Sequence, residues 1–320
     1  MRAWQYMGKQ QPIQLNTDVP EPVPSPTQVI IDVKSAGLCH SDIMYMQMGD
    51  AVMPFLPMTQ GHENAGVISV LGSEVEGFQV GDVVGVCSSG VQPPLGMFTP
   101  GGMADKLAAD YRDLARVPEG LSYHLAALGT DAGMTSYHAM AKASGGIKPG
   151  MKVGVIGFGG LGQIGARVAV LAGAEVHVAE MKEDVWPLAE SVGVKTCVKD
   201  AAEWTQSVNP LVGGDFDVVV DYAGFDTTQK ALSAVKRGGV VVMVGLGLPT
   251  FTVSSNGILG KTIVGSLGGT PQDIEEVYAL MLSGDIDPAY EEIAFEDVAK
   301  GLERLNANEV TGRLVTKVAE

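Results

Sequence analysis

Apolar and polar residues alternate with a period of two through the first third of the chain, as in Val29-Ile30-Ile31-Asp32-Val33 and Ala65-Gly66-Val67-Ile68-Ser69-Val70. With Gly and Pro punctuating the runs, that pattern predicts half-buried strands in an antiparallel region up to about residue 120. Pro20, Pro22, Pro24 and Pro26 alternate, which excludes a central strand and predicts an extended surface connection. From about 124 to 266 the rhythm changes to apolar strand, turn, helix-length segment, apolar strand. The predicted strands are Lys152 to Ile156, Glu175 to Ala179, Phe216 to Val220, Val240 to Val244 and Thr262 to Gly265. Runs as apolar as Val218-Val219-Val220 fit parallel strands covered on both faces, so the segment predicts a doubly wound sheet. The remainder mixes a helix over Pro271 to Ser283, an acidic stretch ending in Glu291-Glu292, a helix over Phe295 to Asn306 and a strand over Arg313 to Val318. These short elements are expected to return to the first domain. No repeat at solenoid periods is present.

Composition narrows the function. Lys and Arg number 21 against 37 Asp and Glu, a net charge of −16, so the chain should not hold nucleic acid or an anionic membrane by charge. The 320 residues, 46% of them hydrophobic, can bury a substantial core in two domains. The 42 glycines are roughly twice the average share, and most sit singly between apolar runs, as strand-to-helix turns require. Cys39, Cys87 and Cys197 cannot form a disulfide framework, so a reducing compartment and a metal or redox role for cysteine are the defaults. No signal-peptide pattern opens the sequence and no apolar run reaches membrane-spanning length. The expectation is a soluble, cytoplasmic protein.

The predicted strand Lys152 to Ile156 runs directly into Gly157-Phe158-Gly159-Gly160-Leu161-Gly162 and a helix of small residues through Ala172. In the pattern G-x-G-x-x-G the first glycine (Gly157) allows the tight turn, the second (Gly159) a close backbone approach to a pyrophosphate, and the third (Gly162) packing of helix on strand. The helix N-terminus adds a positive dipole. A second strand follows and ends at Glu180, whose carboxylate can accept hydrogen bonds from ribose hydroxyls and would repel a 2′-phosphate. The fragment thus predicts a dinucleotide site that prefers NAD to NADP, with Lys182 slightly blurring the preference.

Cys39-His40-Ser41-Asp42 and Gly61-His62-Glu63 are the places where cysteine, histidine and carboxylates crowd between predicted strands. Taken alone, each fragment reads first as a small core cysteine or a structurally satisfied histidine. Together with Val80-Gly81-Asp82-Val83-Val84, Gly101-Gly102-Met103-Ala104-Asp105, Gly133-Met134-Thr135-Ser136-Tyr137, the glycine-rich turn and Gly312-Arg313-Leu314-Val315, they occur in the order found in one family. The chain resembles, nearly end to end, a zinc-dependent alcohol dehydrogenase of the medium-chain dehydrogenase/reductase superfamily.

That resemblance implies a GroES-like, partly open β-barrel catalytic domain made from both chain ends (1–123 and 267–320). A Rossmann domain (124–266) would be inserted in it, with the active site in the cleft. It implies hydride transfer between a zinc-held alkoxide and nicotinamide, with zinc on Cys39, His62 and Asp131. Aspartate at the third place departs from the family's usual cysteine, yet it keeps the ligand charge at −2 and suits zinc. By the same resemblance Glu63 is the carboxylate that closes the fourth position, Asp42 fixes a ligand histidine's tautomer, and Ser41 is the first proton-relay hydroxyl. His40 and Arg313 lie near cofactor phosphates, Thr135 packs beside the nicotinamide, and Gly160, Leu161, Val244 and Leu267 complete the cofactor contacts.

Two further departures matter. Where the family's relay ends in a histidine this chain has Met44, so the proton is expected to leave through cofactor ribose and water. Where the family often carries four cysteines on a structural zinc, residues 88–100 hold none. One thiol, Cys87, cannot build a closed site, and one zinc per subunit is expected. Met44, Met46, Met48, Met53, Phe55, Leu56 and Met58 read as core packing or as an adaptable substrate wall. Alternatives are a polyol dehydrogenase, a zinc-independent quinone or enoyl reductase of the same superfamily, and a non-catalytic dinucleotide binder. The expected partners are a small alcohol or carbonyl substrate and further copies of the chain in a homodimer or homotetramer.

Overall fold

The computed structural model describes residues 1–9, 11–205, 214–247 and 250–319. The chain divides into two compact units, Met1–Met134 with Gly268–Glu320, and Thr135–Leu267.

The first unit is built on a seven-stranded sheet. From edge to edge it runs Tyr290–Ala294, Arg313–Lys317, Gln28–Leu38, Glu63–Leu71, Val83–Val86 and Leu114–Arg116, with Lys106–Asp110 paired to the start of Gln28–Leu38. The pairs are antiparallel except for Tyr290–Ala294 against Arg313–Lys317. The last strand therefore lies beside a strand from the first forty residues. A smaller sheet, Gln14–Asn16, Ala3–Tyr6 and Met58–Thr59, adjoins it, and no strand lies in the proline-spaced segment between Asn16 and Gln28. Trp4 Nε1 donates to the Phe295 carbonyl at 2.7 Å, so the two chain ends share one core that includes Tyr6, Ile31, Leu38, Leu107 and Leu314. Helix Val298–Asn306 buries Val298, Leu302 and Leu305, the i, i+4, i+7 stripe of a surface helix. Its first turn, Phe295–Asp297, is 3₁₀ rather than the α-helix expected from Phe295. The acidic Glu291-Glu292 stretch is an edge strand, where charges facing water are tolerated and discourage further pairing.

The second unit is a six-stranded, all-parallel sheet in the order Thr196–Val198, Glu175–Ala179, Lys152–Ile156, Phe216–Asp221, Val235–Met243 and Thr262–Gly265. Val218, Val219, Val220, Val241 and Val242 are all buried, as strands covered on both faces require. Val235–Met243 begins five residues before its expected start at Val240, because the strand continues through a register shift opposite Phe216/Val218 despite Gly238-Gly239.

The junction falls later in the chain than the expected 123/124. Residues Tyr123–Leu128 form a helix whose Ala126, Ala127 and Leu128 are fully buried in the first unit, against the strands Gln28–Leu38 and Glu63–Leu71. The following turns are π-helical, Gly129–Gly133 and then His138–Ala143. A π-turn inside a helix is rare and frequently marks a functional position; Asp131 lies in the first.

Candidate active site

Register assembles the first cluster. Across the sheet Leu38 faces Leu314 and Gly37 faces Glu63. The residues just outside those pairs, Cys39, Arg313 and His62, therefore share one end of three neighbouring strands. Cys39 also caps the helix His40–Met48. Its sulfur accepts from the Ser41 N–H at 3.5 Å, and the Asp42 carboxylate accepts from the Cys39 N–H at 2.9 Å. The other Asp42 oxygen, Oδ1, lies 2.8 Å from His62 Nδ1. Asp42 is thus committed on both oxygens, and the second commitment directs His62 Nε2 towards Asp131, whose Oδ2 lies 3.5 Å away. Cys39, His62 and Asp131 present ligand-type atoms all within 4.8 Å of one another, the one such cluster of three among the described residues.

Charge at this spot is dense. Arg313, 3% exposed, donates from Nη2 to Asp131 Oδ2 at 2.5 Å and to Glu63 Oε1 at 3.3 Å. Glu63 Oε1 also accepts the Ala132 N–H at 3.1 Å. Burial pushes the Glu63 carboxyl up to about 7, against the pull of Arg313. Burial opposes the charged form of His62 as well, but Asp42, Asp131 and Cys39 outweigh it and raise its pKa well above the ordinary value. Burial would raise Asp131, yet His62 and Arg313 hold it below the usual carboxylate range. Glu63 Oε2 accepts no hydrogen bond among the described residues but lies 3.2 Å from Arg313 Nη2 as an ion pair; Arg313 Nε has no hydrogen-bond partner among them.

Arg313 therefore lies in the Cys39, His62, Asp131 cluster, on Asp131 and Glu63. Ser41 is half-buried in the first turn of its helix, while His40 is exposed. One residue escaped the sequence reading: the Tyr45 ring sits 5.7 Å from the His62 ring. Its position four residues after Ser41, on the same helix face, is the signal that could have found it.

Residues 88–100 are held by polar contacts within the first unit. Asp113 accepts from the Val91 and Gln92 N–H groups at 2.6 and 2.8 Å, and the Gln92 side chain accepts the Asp110 N–H at 3.0 Å. Cys87 is buried, its sulfur 3.4 Å from Met134 Sδ.

In the second unit the glycine turn follows strand Lys152–Ile156 and opens helix Gly162–Leu171. Two glycines of the turn are required by the protein itself, each for a different reason. Gly157 has φ +83°, which L-residues rarely adopt, and a Cβ on Gly162 would lie 1.9 Å from the Gly157 carbonyl oxygen. A Cβ on Gly159 would meet nothing within 4 Å, so no neighbour in the protein demands glycine there and the space above it is open. Glu180 Oε2 accepts the Phe158 N–H at 2.7 Å and Oε1 the Lys182 N–H at 2.8 Å, which holds the carboxylate against the turn. Gly160 and Leu161 lie within the turn, and the Leu161 carbonyl accepts from Ser136 Oγ at 2.8 Å. Thr135 is buried, the Val244 N–H is given to the Asp221 carbonyl at 2.9 Å, and the Leu267 side chain is 84% exposed.

Comparison with known proteins agrees over both units. The family "Alcohol dehydrogenase GroES-like domain" matches residues 25–119, and the family "Zinc-binding dehydrogenase" matches residues 160–283. The chain is 31% identical to an alcohol dehydrogenase of Geobacillus stearothermophilus, over 96% of each chain. Its fold is similar to acetophenone reductase from Geotrichum candidum NBRC 4597, solved with NAD (29% identity, 99% of this chain and 96% of that one, TM-score 0.86). It is also similar to the alcohol dehydrogenase of the archaeon Aeropyrum pernix (26% identity, 99% and 100% coverage, TM-score 0.88). A GroES-like unit joined to a Rossmann unit, with these relatives, defines an oxidoreductase of the alcohol dehydrogenase/reductase class. The chain belongs to the zinc-type alcohol dehydrogenase family of the medium-chain dehydrogenase/reductase superfamily. Among the described residues, no helix is long and apolar enough to cross a membrane.

Proposed function

We propose that this family member is a zinc-dependent, NAD(H)-linked alcohol dehydrogenase that also runs as a ketone or aldehyde reductase. The observation that carries the reading is the convergence of Cys39, His62 and Asp131 within 4.8 Å. The donor set fits zinc. Sulfur, nitrogen and oxygen are its ordinary ligands, and tetrahedral bonds of ordinary length set a nitrogen and an oxygen roughly 3.4 Å apart, against 3.5 Å between His62 Nε2 and Asp131 Oδ2. Thiolate and carboxylate together supply −2, and the Glu63 carboxylate, ion-paired with Arg313 at 3.2 Å, lies beside them.

When bound, zinc supplies Lewis-acid polarisation of the substrate oxygen and the nicotinamide accepts or donates the hydride. The chain does the rest. Asp42 holds the His62 ring by Nδ1, keeping Nε2 as the ligand atom. Ser41 takes the alcohol proton at Oγ in the oxidative direction and returns it in the reductive one. Met44, three residues on, has a thioether that carries no proton, so with the cofactor bound Ser41 would hand the proton on to its ribose hydroxyls and water. Glu180, fixed against the turn by the Phe158 and Lys182 amides, accepts the adenosine ribose hydroxyls and disfavours a 2′-phosphate, which supports NAD over NADP. Gly159 leaves room for the pyrophosphate. One zinc per subunit, a small alcohol or carbonyl substrate and a homodimer or homotetramer complete the proposal.

The test is NAD- and NADP-linked oxidation of a panel of small alcohols, before and after chelation and after zinc is returned. NAD-linked turnover that chelation abolishes and zinc restores supports the proposal. Reduction of quinones or enones that survives chelation would move the protein to the zinc-independent branch.

A further inference from the structure

We infer that Arg313 is a positioning residue for Asp131, the carboxylate proposed as third metal ligand; the inference rests on the zinc reading above. A thiolate offers one donor atom, whereas a carboxylate offers two and can turn, so an aspartate needs something to fix which oxygen faces the metal. Arg313 supplies it. Its Nη2 lies 2.5 Å from Oδ2 of Asp131, the same oxygen that stands 3.5 Å from His62 Nε2. The same nitrogen reaches Glu63 Oε1 at 3.3 Å, so one guanidinium sets Asp131 relative to Glu63. Arg313 is itself fixed: its N–H is given to the Ala289 carbonyl at 3.1 Å, its neighbour Leu314 pairs with Leu38 beside Cys39, and its side chain is 3% exposed. It also brings positive charge among Cys39, Glu63 and Asp131, where burial makes an unbalanced anion costly.

The test compares the full-length wild type, Arg313→Met, Arg313→Lys, and Arg313→Met combined with Asp131→Cys, each loaded with Zn²⁺ or Co²⁺. Metal release to a chelator, the visible spectrum of the cobalt protein and NADH binding by fluorescence titration are measured on all four. Arg313→Met is expected to release metal about 10- to 100-fold faster, the usual effect of losing a residue that orients a ligand. Its cobalt spectrum shifts, and NADH affinity, read in parallel, reports separately on any contact of Arg313 with the cofactor. Arg313→Lys keeps the charge but reaches the oxygens less rigidly, and releases metal at an intermediate rate. Should the Met variant fail to fold, Arg313→Lys carries the test alone, with release faster than wild type expected. Adding Asp131→Cys restores slow release, because a thiolate needs no partner to orient it. Wild-type retention in both single variants overturns the inference, as does a loss of NADH affinity with metal retention unchanged. A wild-type protein that takes up neither metal overturns the zinc reading itself, and this inference with it.

Discussion

The glycine turn of the second unit and the ligand cluster of the first are opposite ways of making a site. Phe158 and Glu180, joined by a hydrogen bond, are 22 residues apart, and the turn itself is six consecutive residues. In the cluster, Arg313 reaches Asp131 across 182 positions and Glu63 across 250. The turn is a local backbone device whose residue types follow from φ, close approach and room for a ligand. The cluster is produced by sheet register, helix capping and a π-turn acting together, and no short stretch of sequence contains it. A site of the first kind is expected to fail through its backbone, and one of the second kind through any of several distant side chains.

The sharpest way to separate them is to remove a ligand. His62→Ala or Asp131→Ala should cost more than the roughly 10- to 100-fold in metal affinity usual for outer partners, while NADH titration stays near wild type. The turn supplies the reverse case. Gly162→Ala, whose Cβ would lie 1.9 Å from the Gly157 oxygen, should cost about 1–3 kcal/mol in denaturant unfolding. Gly159→Ala, with nothing within 4 Å, should leave stability within about 0.5 kcal/mol and weaken NADH binding instead. Equal stability losses at the two glycines would break the distinction between packing and ligand approach. A smaller effect is expected at Glu180. Replacing it with Gln keeps the amide contacts in part but removes the charge, and the NAD-over-NADP ratio of kcat/KM should fall by about tenfold. Smallest of all, Arg304→Ala removes an exposed bridge to Glu291 of 2.7 Å that belongs to neither site. It should shift stability by under about 1 kcal/mol and leave metal and cofactor binding untouched.

The same contrast explains what could be read from the chain. The parallel strands of the second unit are continuous apolar runs, so Lys152–Ile156, Glu175–Ala179 and Thr262–Gly265 were legible to the residue. Val235–Met243 was legible only from Val240, because its first residues include Lys236, Arg237 and two glycines that carry no apolar signal. In the first unit, Cys39 and His62 stood out as fragments, but Asp131 came from resemblance alone, since a single aspartate in a helix has no local signature and its π-turn is invisible in residue types. For Arg313 resemblance conveys a cofactor phosphate as partner and says nothing of the two carboxylates it meets in the fold. Its neighbour Glu63 follows from the pairing of Leu314 with Leu38 and of Gly37 with Glu63, a register that periodicity does not specify, and its neighbour Asp131 from the π-turn Gly129–Gly133. Tyr45 was passed over because one aromatic residue in a methionine-rich helix reads as packing.

Cys39, His62 and Asp131 together are proposed to form one metal site. The most direct measurement is zinc per subunit by elemental mass spectrometry, on wild type and on Cys39→Ser, His62→Ala and Asp131→Ala after dialysis against a mild chelator. About one zinc per subunit is expected in the wild type, and its loss in all three variants. Zinc absent from a wild type that still turns over alcohols, or zinc retained undiminished by the three variants, would contradict it.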